Sequence, residues 1–272
     1  MVRNLSVLTA FILIITACDR ENKGTDDHST LTYDEVIQHD GPSGYWLLEF
    51  EDERDATPND LSGAFGGTLP SETELPNGEN GNVFNGEDSY FEIPDADHIK
   101  LVKTGVLTIE AWMRPDVLNF ERTQGTKDYL HWMGKGSPNQ HSWAARLYNK
   151  DSNRPQRISG YVFNLDGGLG VGSYFQDDIA PRTWIHFVLV INTKNTSSKY
   201  PTGYTKVYRD GQLRDQDDLA SYDIDPGSSS APSRIGTRDL NGFFEGAIAK
   251  VAIYDHELSE ERILFHYEMM DN

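Results

Sequence analysis

The chain of 272 residues sets 24 Lys and Arg against 43 Asp and Glu, a formal charge of −19, and holds a single cysteine. That balance argues against a nucleic-acid partner, because no basic patch with interleaved aromatics is present to meet the phosphates. One thiol excludes an internal disulfide and a cysteine-built metal site, so the fold is expected to rest on packing and ladder hydrogen bonds.

The first element is an export signal. Arg3 precedes an apolar run from Leu5 to Ala17 that is too short to cross a bilayer comfortably, and small residues close it. Ile15-Thr16-Ala17-Cys18 resembles a bacterial lipobox, so residues 1–17 are expected to be removed and Cys18 to be lipidated, anchoring the chain to a bacterial cell membrane. Residues 18–31 are polar with almost nothing to bury and read as a flexible tether. No later stretch is apolar enough to span a membrane.

A domain is expected over residues 32–270. Thr32 to His39 suits one short helical turn, ended by Gly41-Pro42. From Tyr45 the pattern has period two, with turn residues about every ten positions. Residues 44–50, 82–86, 89–94, 106–115, 142–148, 157–163, 170–175, 184–191 and 243–254 read as strands, and 205–213 as a hairpin. Residues 184–191 are apolar at nearly every position, which predicts burial on both faces. Asp210-Gly211 suits a tight hairpin turn with positive φ. Only Ser259 to Tyr267 reads as a helix, with Ser259 as N-cap and acids in its first turn. Many strands and little helix predict an all-β, two-sheet antiparallel β-sandwich with a short C-terminal helix.

The order of the strand phrases carries a resemblance. Asp60-Leu-Ser-Gly63, Val83-Phe-Asn-Gly86 with Tyr90 and Ile93-Pro94, and Leu107-Thr-Ile-Glu-Ala-Trp112 with Pro115 come first. Thr183-Trp-Ile-His-Phe-Val188, Tyr208-Arg-Asp-Gly211, Arg234-Ile-Gly236 and Phe244-Glu-Gly-Ala-Ile248 follow. Together they resemble the laminin-G-like, concanavalin-A-like jelly-roll family over residues 33–268. The resemblance implies core positions for Trp46, Trp112 and Trp184, and His186 is expected to be a hydrogen-bonded core histidine. Relatives often bind one calcium ion through the Asp-x-Ser-Gly loop, an acid of the first strand and an aspartate of the last. Here Asp60 matches the loop, Glu49 or Glu51 supplies the first-strand acid, and Ala249 stands where the last aspartate would be.

Two segments fall outside the family phrases. Residues 128–135 and 141–148 bring His131, Trp143, Arg146 and Tyr148 onto strands, expected near exposed edges or the concave sheet, where aromatic platforms beside cationic donors suit sugars. Trp132 and Trp143 are equally suited to filling the sandwich. For an acidic glycan, Arg146 and Arg157 are the natural anchors. Residues 165–173 are glycine-rich but lack the ending of a phosphate loop and read as a bulged hairpin before Tyr174.

Catalysis is not expected. The paired carboxylates that related hydrolases set on one strand as Glu-x-Asp-x-x-Glu are absent, as are a nucleophile elbow and a His-Glu-x-x-His zinc motif. The reading is a cell-envelope lipoprotein whose domain binds a polysaccharide or glycoconjugate at His131, Trp143, Arg146, Tyr148, Arg157 and Tyr174. The alternative is a protein-binding or adhesion module; a glycoside hydrolase or polysaccharide lyase on the same fold ranks third. Glycan binding requires no cofactor.

Overall fold

The computed structural model describes residues 31–121, 128–164 and 170–270, so the expected signal, Cys18 and nearly all of the tether lie outside it. Two antiparallel sheets form the expected sandwich. The first runs Gln212–Asp218, Tyr204–Arg209, Ile185–Asn192, Val106–Pro115, Glu245–Tyr254, Asn80–Asn85, Ser71–Glu74. Gly44–Trp46 pairs with the second half of Glu245–Tyr254. The second sheet runs Gly170–Phe175, Ile158–Phe163, Trp143–Tyr148, Tyr129–Lys135, Ser233–Ile235, Tyr90–Ile93, Ala64–Gly66.

Period two explains the layering, because successive side chains of a strand point to opposite faces. On the two central strands of the first sheet, Leu107, Ile109, Ala111 and Met113 face the second sheet with Phe187, Leu189 and Ile191. The opposite face of the same strands carries Trp112, Val188 and Val190, which pack under the helices Tyr33–His39 and Glu260–Met270. The Ile185–Asn192 strand is therefore buried at every position, as its apolar run predicts.

Local chemistry sets the element ends. Thr32 and Glu35 close a capping box on the first helix. Ser259 Oγ accepts from Arg262 N at the start of the C-terminal helix. Asp210 (φ 50°) and Gly211 (φ 76°) make the tight turn between the Tyr204–Arg209 and Gln212–Asp218 strands. The strand expected over residues 44–50 stops at Trp46, because Leu48 (φ 54°) and Glu51 (φ 58°) take the backbone out of the ladder.

The helix-covered face buries a polar cluster. Glu110, fully buried, accepts from Tyr33 (3.4 Å) and Tyr254 (3.2 Å) and pairs with His186 Nε2 (2.7 Å) and His266 Nδ1 (3.1 Å). Asp40 pairs with His266 Nε2 (2.8 Å) and Arg262 (2.7 Å). Burial pushes the Glu110 carboxyl up, but the His266 and His186 partners outweigh it and hold it well below the carboxylate range. Burial likewise pushes the His266 imidazole down, and the Glu110 charge with the Asp40 hydrogen bond reverses this, holding its pKa at about 9. His186 is the expected hydrogen-bonded core histidine. The cluster ties both helices to the sheet and leaves the outer face of the second sheet as the open one.

Candidate functional site

The open face is built by alternation along four neighbouring strands of the second sheet. Trp143, Ala145 and Leu147 point into the sandwich, so Ala144, Arg146 and Tyr148 point away from it. Tyr161 pairs with Ala144, diagonal to Arg146, and Gly172 pairs with Tyr161 on the next strand. A Cβ at Gly172 would fall 1.9 Å from the Gly160 carbonyl oxygen, so only glycine fits this close approach. A bulge between His131 and Met133 sets His131 opposite Arg146.

Arg146 is the centre of this surface. Its guanidinium lies 4.4 Å from the Tyr129 ring, 4.1 Å from the Tyr161 ring and 5.1 Å from the Phe163 ring. Its Nε donates to His131 Nε2 at 3.0 Å, and Arg238 approaches the same nitrogen at 3.4 Å. Arginine only donates, so His131 accepts through an unprotonated Nε2. Burial, then the Arg238 and Arg146 charges, push the His131 imidazole well below its ordinary value, which keeps that lone pair available.

Two further arginines flank it. Arg157 lies 3.7 Å above the Tyr174 ring and donates to Gln176 Oε1 from Nε (3.2 Å) and Nη2 (3.0 Å). Arg154 donates to the Tyr148 hydroxyl at 3.2 Å. The three arginines, with Tyr129, Tyr161, Tyr174, Tyr222 and Asp217, line a groove of about 400 Å³, within the usual range for ligand pockets. A smaller cleft of about 250 Å³ continues it past Asp128 and Asn153. Burial, then the neighbouring Asp215 and Asp218 charges, raise the Asp217 carboxyl above its ordinary value. A cavity of about 590 Å³ near Thr193 and Pro226 is larger, but its lining has neither an aromatic ring nor a cation.

Of the six residues expected to bind ligand, the groove joins Arg146, Arg157 and Tyr174. Tyr148 lines the adjoining cleft beneath the arginines and is 2% exposed. His131 is buried and orients Arg146 from below. Trp143 is 1% exposed, on the inward side of its strand, and offers no face to a ligand; the expectation of a tryptophan platform is corrected accordingly. Tyr129, Arg154, Tyr161, Asp217 and Tyr222 were not singled out by the sequence. Tyr129, Tyr161 and Asp217 depend on strand register, which one sequence does not give, whereas Arg154 and Tyr222 lie outside the strands. Trp46 and Trp112 are core residues as expected, whereas Trp184 is half-buried and donates from Nε1 to the Glu74 carbonyl. Residues 165–169 of the glycine-rich segment lie outside the described residues, and its end forms the edge strand Gly170–Phe175.

The calcium expectation meets a different chemistry. Glu49 sits 3.6 Å from Lys250 Nζ, which also pairs with Asp34 (3.0 Å) and Glu79 (2.9 Å). Lys250 is fully buried in the bulge of the Glu245–Tyr254 strand, with φ 53°. Glu51 and Asp60 are exposed, and the loop is organised instead by Asp55, whose carboxylate accepts from Tyr45 N, Thr57 N and Leu61 N. Among the described residues no group of three or more His, Cys, Asp or Glu side chains is placed to hold a metal ion, the carboxylates around Lys250 being occupied by its ammonium group. Glu49, Glu51 and Asp60 therefore do not fit a calcium ion, and an internal ammonium group supplies the positive charge beside Glu49.

Residues 85–264 match the model of the concanavalin A-like lectin/glucanases superfamily. No curated protein matches the chain in sequence. Among solved structures, the receptor-binding domain of the botulinum neurotoxin C/D mosaic serotype is 14% identical with a TM-score of 0.62, covering 84% of this chain and 51% of that one. The binding domain of botulinum neurotoxin DC, solved in complex with rat synaptotagmin II, is 11% identical with a TM-score of 0.63, covering 85% and 51%. Domain 4 of AbnA, an extracellular arabinanase from Geobacillus stearothermophilus solved in complex with arabinotriose, is 15% identical with a TM-score of 0.58, covering 83% and 98%. The chain spans about half the length of the toxin domains it matches. At these identities the likeness shows the fold alone.

Proposed function

Because the chain belongs to the concanavalin A-like lectin/glucanase superfamily, we propose that it is a carbohydrate-binding protein of the bacterial cell envelope, without catalysis, that holds its glycan in the Arg146 groove. The observation that carries this reading is the groove itself: tyrosine rings and guanidinium donors set on the open face of a rigid sheet. Sugars offer apolar C–H faces for rings and hydroxyl rims for polar donors and acceptors. The arabinotriose complex of the arabinanase domain supports the class of ligand. Among the described residues Asp217 is the one carboxylate lining the groove itself, with Asp128 in the cleft that continues it, whereas glycoside hydrolysis ordinarily uses a pair flanking the bond. Glu110 is fully buried in its cluster with two histidines on the helix-covered face, so it serves packing.

Screening the full chain against a polysaccharide panel by affinity electrophoresis tests this. Retention by at least one glycan is expected, with no reducing ends released, and Arg146→Ala and Tyr174→Ala are expected to weaken it roughly tenfold or more without lowering the melting temperature much. Release of reducing ends would make the protein an enzyme. A second reading, protein binding, is favoured by the synaptotagmin II complex of a toxin domain of the same fold. It predicts a co-purifying protein partner and indifference to every glycan.

The anchor belongs to the same proposal and rests on the lipobox-like Ile15-Thr16-Ala17-Cys18. Growth with an alkynyl fatty acid should label the protein, and Cys18→Ala should abolish labelling; an unlabelled wild-type chain would contradict lipidation.

A further inference from the structure

Of the eight described arginines outside the groove, seven hold a carboxylate, Arg114 to Asp116 at 2.8 Å and Arg262 to Asp40 at 2.7 Å among them, and the eighth, Arg182, is an exposed turn residue. In a chain with 43 acids against 24 bases this is the ordinary outcome, since carboxylates are in excess. Arg146, Arg154 and Arg157 depart from it. Their hydrogen-bond partners among the described residues are neutral: the His131 imidazole, the Tyr148 hydroxyl and the Gln176 amide. Each guanidinium is held by ring stacking and keeps donors that no described carboxylate uses. Three cations are thus gathered on one face and oriented with no described carboxylate bonded to them, while Asp217 on the groove wall and Asp128 in the adjoining cleft stand near.

We propose that the groove selects an anionic glycan, one whose sugars carry carboxylate or sulfate groups, through the forks of Arg146, Arg154 and Arg157. This rests on the glycan-binding reading above and names the class of sugar. A planar fork of N–H donors matches a carboxylate or sulfate edge, and charge-assisted bonds are about twice as strong as neutral ones. The tyrosine faces stack on sugar rings, and Asp217 on the groove wall accepts from hydroxyls. The charge of −19 repels polyanions at a distance, so the attraction acts at contact, within about one Debye length of ~8 Å. Simple polyanions, which lack rings to stack, gain only part of this.

The test is calorimetric titration of the full chain with four probes: an oligogalacturonate, a chondroitin sulfate oligosaccharide, a neutral galacto-oligosaccharide and polyglutamate. Either anionic sugar is expected to bind roughly tenfold or more tighter than the neutral one, with affinity falling as salt rises and polyglutamate binding weakly. Binding by the uronate alone assigns the groove to carboxylates, and by the sulfated sugar alone to sulfates; both support the proposal. Arg157→Gln, at a half-buried position, should remove most of the preference while the protein still melts like wild type. Equal affinity for neutral and anionic sugars overturns the anionic class and leaves glycan binding standing. Binding of polyglutamate as tight as that of the sugars overturns the proposal as charge alone. Binding of no probe sugar, with retention on a neutral polysaccharide in the wider panel, also overturns the anionic class, and retention on none overturns both readings.

Discussion

Glu110→Ala should lower stability by about 3–5 kcal/mol, the usual cost of breaking a buried ion pair by removing one partner. The carboxylate is fully buried and is the shared acceptor of four groups. Without it, His186, His266, Tyr33 and Tyr254 lose their common partner inside the layer that fixes both helices. For a domain of this size the loss corresponds to a melting temperature lower by roughly 6–20 °C. The same cluster sets a pH window. His266 titrates near 9 when folded and near 6.5 when unfolded, so its contribution is complete below about pH 6.5 and is lost as pH rises through about 9. Glu110 is held below the carboxylate range, so its contribution is present above about pH 4.3 and is lost as pH falls further. Melting temperatures should therefore peak between about pH 4.5 and 6.5 and decline toward pH 10, with a shallower alkaline decline in Glu110→Ala. A wild-type profile flat from pH 6.5 to 9.5, or a variant as stable as wild type, would remove the cluster from its structural role.

Lys250→Met is the second large effect. The ammonium group is fully buried, and burial opposes its charge, yet Asp34 and Glu79 outweigh burial and raise its pKa. Methionine keeps much of the volume but leaves Asp34, Glu49 and Glu79 facing one another without a cation. Asp34 also accepts from the Tyr45 hydroxyl, so the disturbance reaches the first helix and the Gly44–Trp46 strand. Removing one partner of a buried charged group costs about 3–5 kcal/mol; because Asp34, Glu49 and Glu79 remain partly exposed, the lower end is expected. Chemical denaturation of the full chain measures it. If the loss is real and electrostatic, Glu79→Gln in the Lys250→Met background should recover part of it. Stability equal to wild type in Lys250→Met would show that the ammonium group contributes nothing net.

The sandwich was legible because burial imposes a period that survives in the sequence. The Val106–Pro115 and Ile185–Asn192 strands read directly, and Ser259 announced the helix by its capping chemistry. The groove was legible in part. Arg146, Arg157 and Tyr174 stood out as cations and a ring on strands, whereas Tyr129 and Tyr161 join them only through register, which fixes the diagonal pairing across three strands. The Trp143 expectation had its answer within reach: three positions separate it from Arg146, and an odd spacing puts two strand residues on opposite faces. The Glu110 cluster was hidden for another reason. Its partners lie 76 to 156 positions away, brought together by packing rather than by any local pattern. Lys250 was equally opaque, since a lysine in a strand ordinarily points to solvent and only the bulge turns this one inward.

The most direct test of the central claim, that the open face of the second sheet is the glycan site, is hydrogen–deuterium exchange of the full chain with and without a retained oligosaccharide. The groove geometry predicts protection confined to the segments around Tyr129, residues 146–161, residues 170–174 and residues 217–222, and none over the helix-covered face around Glu110. Protection centred on that face, or on the cavity near Thr193 and Pro226, would contradict it.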